Sequence, residues 1–430
     1  MIANVLGFTA IFLVIIITIL TAVRLPEAAK ILYVALAVRI TVMLLGHYVI
    51  SLPDSGGDAS SFEGYAYALL FPGNTVQPDG YAYALHLPRV GFSEILASYP
   101  GPNSGFIIWV ISLLYSFTDR SMLMAKSLSL FFGMGIVLLG WLLARKVWDD
   151  RSALKTGWIL ALFPTLILYS CLTVRESYIT FFTVLALFGV VNWVKEGSFR
   201  SIILALIGFI GATFFHGAMF LGAVGFLGVV GLNSLMQTFK GPINSAKYVK
   251  TLIINLFIVI CFGYYVSGKI EVPKLGTFKD TIQIKRILKQ TSHSTDGNAS
   301  YPKWLEIKTT SELIYKAPIR IAYFISSPFP WDVKKPSHLI GLLDALIYVF
   351  LTYLIIRNRK NIWSNKVLRM ILFILVIYLV LFGISVGNFG TGIRHRSKFI
   401  VMFLLLAAPL LPKLDMYMKN KSFKEYLEKK

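Results

Sequence analysis

Apolar runs about as long as a bilayer is thick recur along this chain, and they leave few choices for its fold. A helix needs roughly 20 mostly apolar residues to cross the hydrocarbon core. Runs near that length, or a little shorter, lie at 3–22, 31–50, 122–144, 153–172, 177–193, 201–215, 217–236, 251–268, 338–356, 367–386 and 397–412. The stretch 104–118 (SGFIIWVISLLYSFT) is apolar over only fifteen residues and suits a re-entrant or interfacial helix. The expectation is an all-α polytopic membrane protein of about eleven spans, with further helices lying along its outer face. The composition agrees. Only 15% of residues are charged, against roughly 25% in an average soluble domain.

The first run, Ile2 to Leu20, lacks a basic segment in front of it and is read as a retained helix rather than a cleaved leader. Cys171 and Cys261 lie in or at the ends of apolar runs, without a CxxC, and read as small buried hydrophobes.

A formal charge of +21 would ordinarily point to nucleic acid. Here much of the excess sits between apolar runs, at 145–155, 195–200, 240–250, 357–369 and in the tail 413–430. Basic residues in such places orient a chain and meet anionic headgroups. No nucleic-acid partner is therefore expected, and the bilayer is the partner instead. All five places fall on one side, the cytoplasm by the positive-inside rule. The chain then divides into an N-terminal transmembrane module, 1–268, with an acidic outer loop at 51–121; a basic outer loop, 269–337; and C-terminal helices with a basic cytoplasmic tail, 338–430.

The outer side collects the chemistry. The acidic loop carries Asp54, Asp58, Glu63, Asp79, Glu94 and Asp119, and repeats GYAYAL at Gly64–Leu69 and Gly80–Leu85. Tyrosines so spaced suit helices in the headgroup layer. The basic loop carries twelve Lys and Arg, Lys285, Arg286 and Arg320 among them. Long loops are translocated despite their charge, so these cations await either anionic lipid or an acidic, phosphate-bearing substrate.

Four clusters of ionisable residues sit at the outer membrane edge, where charge is costly and therefore informative. Asp54 and Asp58 flank Gly56-Gly57. A carboxylate there could serve as general base for a hydroxyl acceptor, and equally as a helix N-cap. Arg175-Glu176 interrupts two apolar runs, either as a self-compensating pair or as a second acid or metal ligand beside a phosphate-binding arginine. His216 lies alone between two runs, interfacial or substrate-binding. Arg394-His395-Arg396 with Lys398, behind three glycines, makes a candidate phosphate clamp, since arginine offers fixed bidentate donors. If a divalent cation such as Mg or Mn is used, Asp58 and Glu176 are its candidate ligands. No P-loop, GxGxxG after a strand, HExxH or GxSxG occurs.

In these features the chain resembles the GT-C membrane glycosyltransferases, in particular bacterial relatives of protein mannosyltransferases and lipid A aminoarabinose transferases. Their first outer loop carries an acid within D-x-x-x-(Y/F)-x-x-x-A, which Asp58, Phe62 and Ala66 match. Tyr99-Pro100 before the run 104–118, and the stretch from Ser127 through Pro164 to Glu176, fit their next elements. The likeness spans roughly 31–240. It departs in an additional first span, in Ala59 where a second acid is usual, and in having no large outer domain after the last helix. The tail motif and the SPFPWD stretch, Ser327–Asp332, are similar to those of proteins from polysaccharide gene clusters.

The resemblance implies an enzyme of the cell membrane with its active site on the periplasmic or extracellular face. It would transfer sugar from a polyprenyl-phosphate or polyprenyl-diphosphate donor to a glycan or glycolipid in surface-polysaccharide assembly. Asp58 would be the base with Glu176 as second acid; Arg175, Arg394, Arg396 and His395 would hold phosphate. Asp54, His216, Lys285, Arg286 and Arg320 would be further substrate contacts. An O-antigen or capsule repeat-unit polymerase, a lipid-linked glycan flippase and a non-catalytic scaffold are the alternatives.

Overall fold

The computed structural model describes residues 2–71, 90–98, 104–240, 256, 263–264, 266–268, 299–334 and 337–412. Regular structure among them is helical, and the only pairing of β type is an isolated bridge between Ser300 and Asn388. Among the described residues seven helices are long and apolar enough to cross a membrane, or eight if one bent pair is a single span. The protein is thus an all-α polytopic membrane protein, as expected. Of the other expected spans, 201–215 is a shorter apolar helix, Phe199–Phe215. The span 251–268 lies almost wholly outside the described residues. The last, 397–412, is an eight-residue helix between two 3-10 turns.

In chain order the helices are α1 Ile2–Arg24, α2 Pro26–Tyr48, α3 Asp58–Ala68, α4 Phe92–Ala97, α5 Ser104–Phe117, α6 Met122–Val147, α7 Asp150–Leu162 and α8 Pro164–Ser170. There follow α9 Glu176–Glu196, α10 Phe199–Phe215, α11 Phe220–Lys240, α12 Thr310–Ser326, α13 Ser337–Arg357, α14 Arg359–Ser364, α15 Lys366–Ser385, α16 Phe389–Arg396 and α17 Ile400–Ala407. Helix α1 shows Phe8, Phe12, Ile16, Leu20 and Val23 to the outside, and buries Gly7, Ile11, Val14, Thr18 and Ala22 against its neighbours. That stripe is tolerable only where the surroundings are hydrocarbon. Helix α17 is the reverse: every residue from Ile400 to Ala407 is buried, so the end of the described chain runs through the middle of the bundle. Its last carbonyls, and those just beyond it, receive side-chain donors, as helix ends buried in protein require. Trp148 donates to Leu405 O at 2.7 Å, Asn358 to Leu406 O at 2.7 Å and Lys155 to Pro409 O at 3.2 Å.

Close packing of α9 on α10 rests on small residues, as in membrane helix pairs generally. A Cβ on Gly189 would stand 2.2 Å from Ala205 N, and one on Gly208 2.3 Å from Ala186 N. The span built from α7 and α8 bends by 57°. Pro164 cannot donate to the carbonyls of the preceding turn, and Arg39, buried in α2, donates instead to Leu160 O at 3.0 Å and Ala161 O at 2.7 Å.

The bundle has two unlike ends. At one, Arg145 pairs with Asp150 at 2.6 Å and Lys146 with Glu196 at 3.2 Å. Glu176 opens α9 at the other end, twenty residues and about 30 Å away along that helix. Asp58, Glu176 and Arg394, three of the side chains expected at the outer edge, meet there.

Candidate active site

The loop before α3 turns sharply. Gly57 has φ 51°, and Asp54 adopts φ 61°, the one non-glycine residue with positive φ among the described residues. Asp and Asn tolerate this region better than other L-residues. The turn starts α3 at Asp58, with Gly57 as N-cap and no side-chain cap, so neither aspartate is spent on capping. Helix α3 is then held from two sides. Thr173 donates to Ala59 O at 2.6 Å. The fully buried Glu63 accepts from Arg120 Nε at 2.9 Å, from Arg120 Nη2 at 2.7 Å and from the Tyr115 hydroxyl at 2.8 Å. The other wall is α16, opened by Asn388, whose side chain accepts from Gly390 N at 2.8 Å.

These two elements bring together residues more than three hundred positions apart. Arg394 Nη1 donates to Asp58 Oδ2 at 2.7 Å, and Arg394 Nη2 lies 3.3 Å from Glu176 Oε1. The side chains of Arg394, Asp58 and Glu176 are 19%, 49% and 2% exposed, so the guanidinium sits between an acid at the mouth and an acid in the interior. Burial works against the charge on Arg394, but Glu176 and Asp58 beside it more than compensate and its pKa is raised. Arg175 lies over the Phe62 ring at 5.5 Å, its Nη1 donating to Phe215 O at 3.5 Å. Burial lowers its pKa, Glu176 opposing. Asp54 accepts from the Tyr169 hydroxyl at 3.3 Å. Its residue keeps an exposed face, yet partial withdrawal of the carboxyl from water pushes its pKa up, against the pull of Arg394 and Tyr169.

His216 and His395 stack edge to face at 5.2 Å beside Phe382, and Lys398 Nζ lies 2.7 Å from His395 Nδ1. Three buried polar atoms in this cluster keep unspent hydrogen-bonding capacity: Arg394 Nη2, Arg175 Nε and Glu176 Oε2. Such donors suit an anion, and such an acceptor suits a hydroxyl or amine.

Two arginines expected here work elsewhere. Arg394 and Arg396 are two apart on one helix and so face different ways. Arg396 is 1% exposed. It pairs with Asp344 at 2.7 Å and donates to the carbonyls of Phe324 at 3.4 Å, Ile325 at 3.1 Å, Gly341 at 3.2 Å and Ser327. With its donors committed it fastens α16 to α13 and to the turn after α12, and is not in the clamp. Arg320, likewise buried, donates to Leu305 O at 2.8 Å, Ile384 O at 3.1 Å and Val386 O at 2.7 Å. Lys285 and Arg286 lie outside the described residues.

Sequence reasoning passed over Tyr169, which an apolar run disguised as core. It also passed over Asp344, whose place within LIGLLDALIYVF was a legible sign of a buried partner. The suggested metal pair, Asp58 and Glu176, already holds a guanidinium between its oxygens, and no group of three or more His, Cys, Asp or Glu placed to hold a metal occurs among the described residues. A divalent ion does not fit this pair while Arg394 stands there.

Fold and cluster together define a polytopic helical membrane protein with a charged site at one end of its bundle. No family model matches the chain, and no curated protein matches it in sequence. Among solved structures it is similar to ArnT from Cupriavidus metallidurans in the apo state, at 12% identity and a TM-score of 0.46 over 93% of this chain and 62% of that one. It is similar to the apo oligosaccharyltransferase of Archaeoglobus fulgidus, at 13% identity and a TM-score of 0.48 over 93% and 52%. The oligosaccharyltransferase AglB of the same organism, solved with an inhibitory peptide and a dolichol-phosphate, gives 14% and 0.40 over 87% and 50%. The chain thus spans about half to three fifths of the length of these proteins.

Proposed function

We propose that the chain is a GT-C-type glycosyltransferase of the cytoplasmic membrane. It moves a sugar from a polyprenyl-phosphate or polyprenyl-diphosphate donor to a glycan or glycolipid hydroxyl on the outer face, in surface-polysaccharide or glycolipid assembly. One observation carries the reading: a half-buried guanidinium, Arg394, spans a mouth-facing and an interior carboxylate, with unspent donors on itself and on Arg175. A phosphate leaving group needs such fixed cations at a partly dry interface, and a hydroxyl acceptor needs a carboxylate within reach of solvent.

In the proposed reaction Asp58 takes the acceptor proton as the acceptor oxygen bonds to the anomeric carbon. The bond from that carbon to the donor phosphate breaks, its electron pair leaves on the phosphate, and the configuration inverts. Arg394 and Arg175 hold the phosphate, and Glu176 keeps Arg394 in place. Asp54 and His216 line the same cluster as substrate contacts, with His395 beside them. The basic loop, including Lys285 and Arg286, would help hold the donor phosphate or an acidic glycan.

A repeat-unit polymerase would use the same chemistry with lipid-linked glycans on both sides of the reaction. A flippase is less well supported. Charges at membrane depth and a bent span are transporter features, but here Arg39 donates to the carbonyls of Leu160 and Ala161 and Asp344 accepts from Thr165 and Arg396, so both are tied within the chain. The test is transfer from a polyprenyl-phosphate-linked sugar by protein in liposomes. Asp58→Asn and Arg394→Ala should each lower the rate by about 10²–10³-fold. Full activity of Asp58→Asn at normal protein level removes Asp58 as the base.

A further inference from the structure

We infer that Arg394 supplies, as a fixed guanidinium, the positive charge that a divalent cation would otherwise bring to the Asp58–Glu176 pair, so that the site works without a bound metal. The inference rests on the transferase reading for its catalytic meaning, and on geometry alone for the claim about the cation.

The guanidinium stands between the two acids that would be the ligands, 2.7 Å from Asp58 Oδ2 and 3.3 Å from Glu176 Oε1. A magnesium ion binds oxygens at about 2.0–2.1 Å and demands near-octahedral geometry, so to reach both carboxylates it would have to evict the arginine. Eviction is resisted. Arg396, two residues on, fixes the backbone of α16 through Asp344 and four carbonyls. A displaced Arg394 would also lose the two acids that offset its repulsion from Arg175. Among the described residues no group of three or more His, Cys, Asp or Glu is placed to hold a metal, and the nearby carboxylate of Asp54 accepts from the Tyr169 hydroxyl at 3.3 Å. Arginine can do a metal's share of this chemistry, because it stays charged at any working pH and presents two parallel donors to a phosphate. Its remaining Nη2 capacity is buried and unspent.

The experiment is Mn²⁺ binding by the purified full-length protein in detergent, after chelator treatment, read by electron paramagnetic resonance, with transfer activity measured on the same samples. Wild type and the Asp58→Asn/Glu176→Gln double variant should take up Mn²⁺ equally, and chelation should leave wild-type transfer unchanged. One equivalent of Mn²⁺ bound by wild type and lost in the double variant overturns the inference, as does chelator-sensitive transfer restored by Mn²⁺ or Mg²⁺. Arg394→Lys, which keeps a cation, should also show no added Mn²⁺ uptake. If no polyprenyl-linked donor is ever turned over, the transferase reading fails while the Mn²⁺ comparison still decides the cation.

Discussion

Arg396 is expected to be a fastening that holds the site together rather than a part of it, and its replacement shows the difference. Arg396→Met, close in volume, removes one guanidinium that serves Asp344 and four backbone carbonyls in a place 1% exposed. Breaking a buried ion pair from one side costs about 3–5 kcal/mol, and each carbonyl left without a donor adds about 1–3 kcal/mol. The total exceeds ~5 kcal/mol, a large part of the 5–15 kcal/mol that typically holds a domain together. Asp344→Ala strands the Arg396 charge and the Thr165 hydroxyl, but Arg396 keeps its carbonyls, so it should cost about 3–5 kcal/mol and less than Arg396→Met. Removing both charges, as Asp344→Leu with Arg396→Met, should recover only part of the loss, since the carbonyls stay orphaned; an isolated buried pair would recover nearly all of it. Unfolding in mixed micelles at increasing SDS, followed by circular dichroism, measures these differences, and binding of a fluorescent polyprenyl phosphate to the folded fraction measures the other role. An Arg396→Met protein within ~0.5 kcal/mol of wild type but deficient in donor binding would refute the reasoning and return Arg396 to the clamp.

Three further outcomes are expected. Gly189→Ala places a methyl against the backbone of Ala205 and should cost about 1–3 kcal/mol in the same SDS titration; an unchanged midpoint would mean that α9 and α10 are not packed this closely. Asp54→Asn should stabilise the protein at neutral pH, because asparagine accepts the positive φ at least as well and cannot ionise. The Asp54 carboxyl is raised from its ordinary 3.8, so its contribution to stability is complete below that value and is lost as pH rises through the shifted pKa. The variant's advantage in thermal midpoint should accordingly grow from acid to neutral pH, and a constant difference across the range would contradict it. Glu63→Ala strands Arg120 and Tyr115 beneath the helix that carries Asp58. It should destabilise by about 3–5 kcal/mol, with Glu63→Gln milder because it still accepts from Tyr115.

How much of this was legible in the sequence depended on whether the signal was local. Seven of the expected spans were, because a run such as 367–386 has no other stable use at that length; 201–215 and 397–412 instead form a shorter apolar helix and an eight-residue helix between 3-10 turns. The clustering of Asp58, Glu176 and Arg394 was inferred from the side of the membrane each should occupy, and their actual juxtaposition agrees with that inference. What failed was register. Reading Arg394, His395 and Arg396 as one clamp ignored that GTGIRHRSK, opened by Asn388, could be a helix, on which neighbours two apart diverge by about 200°. The break at Pro164 was visible in sequence; that Arg39, over a hundred residues earlier, would donate to the carbonyls before it was not, since nothing local links them.

The short helix α16 shows why one run of basic residues can serve two ends. Facing inward, Arg396 finds a carboxylate and four carbonyls, so its charge is neutralised within the fold. Turned the other way, Arg394 finds two carboxylates and retains an unspent donor. The first arrangement is complete and can only be stabilising or absent. The second is incomplete, and an anion arriving at Arg394 must compete with Asp58 for the guanidinium, the weaker partner being the acid that is half exposed. Binding of phosphate would therefore loosen Asp58 from Arg394 and leave its carboxylate available to a proton. The two events a transferase must couple, donor capture and activation of the acceptor, would meet on one side chain, held steady by its neighbour two residues on.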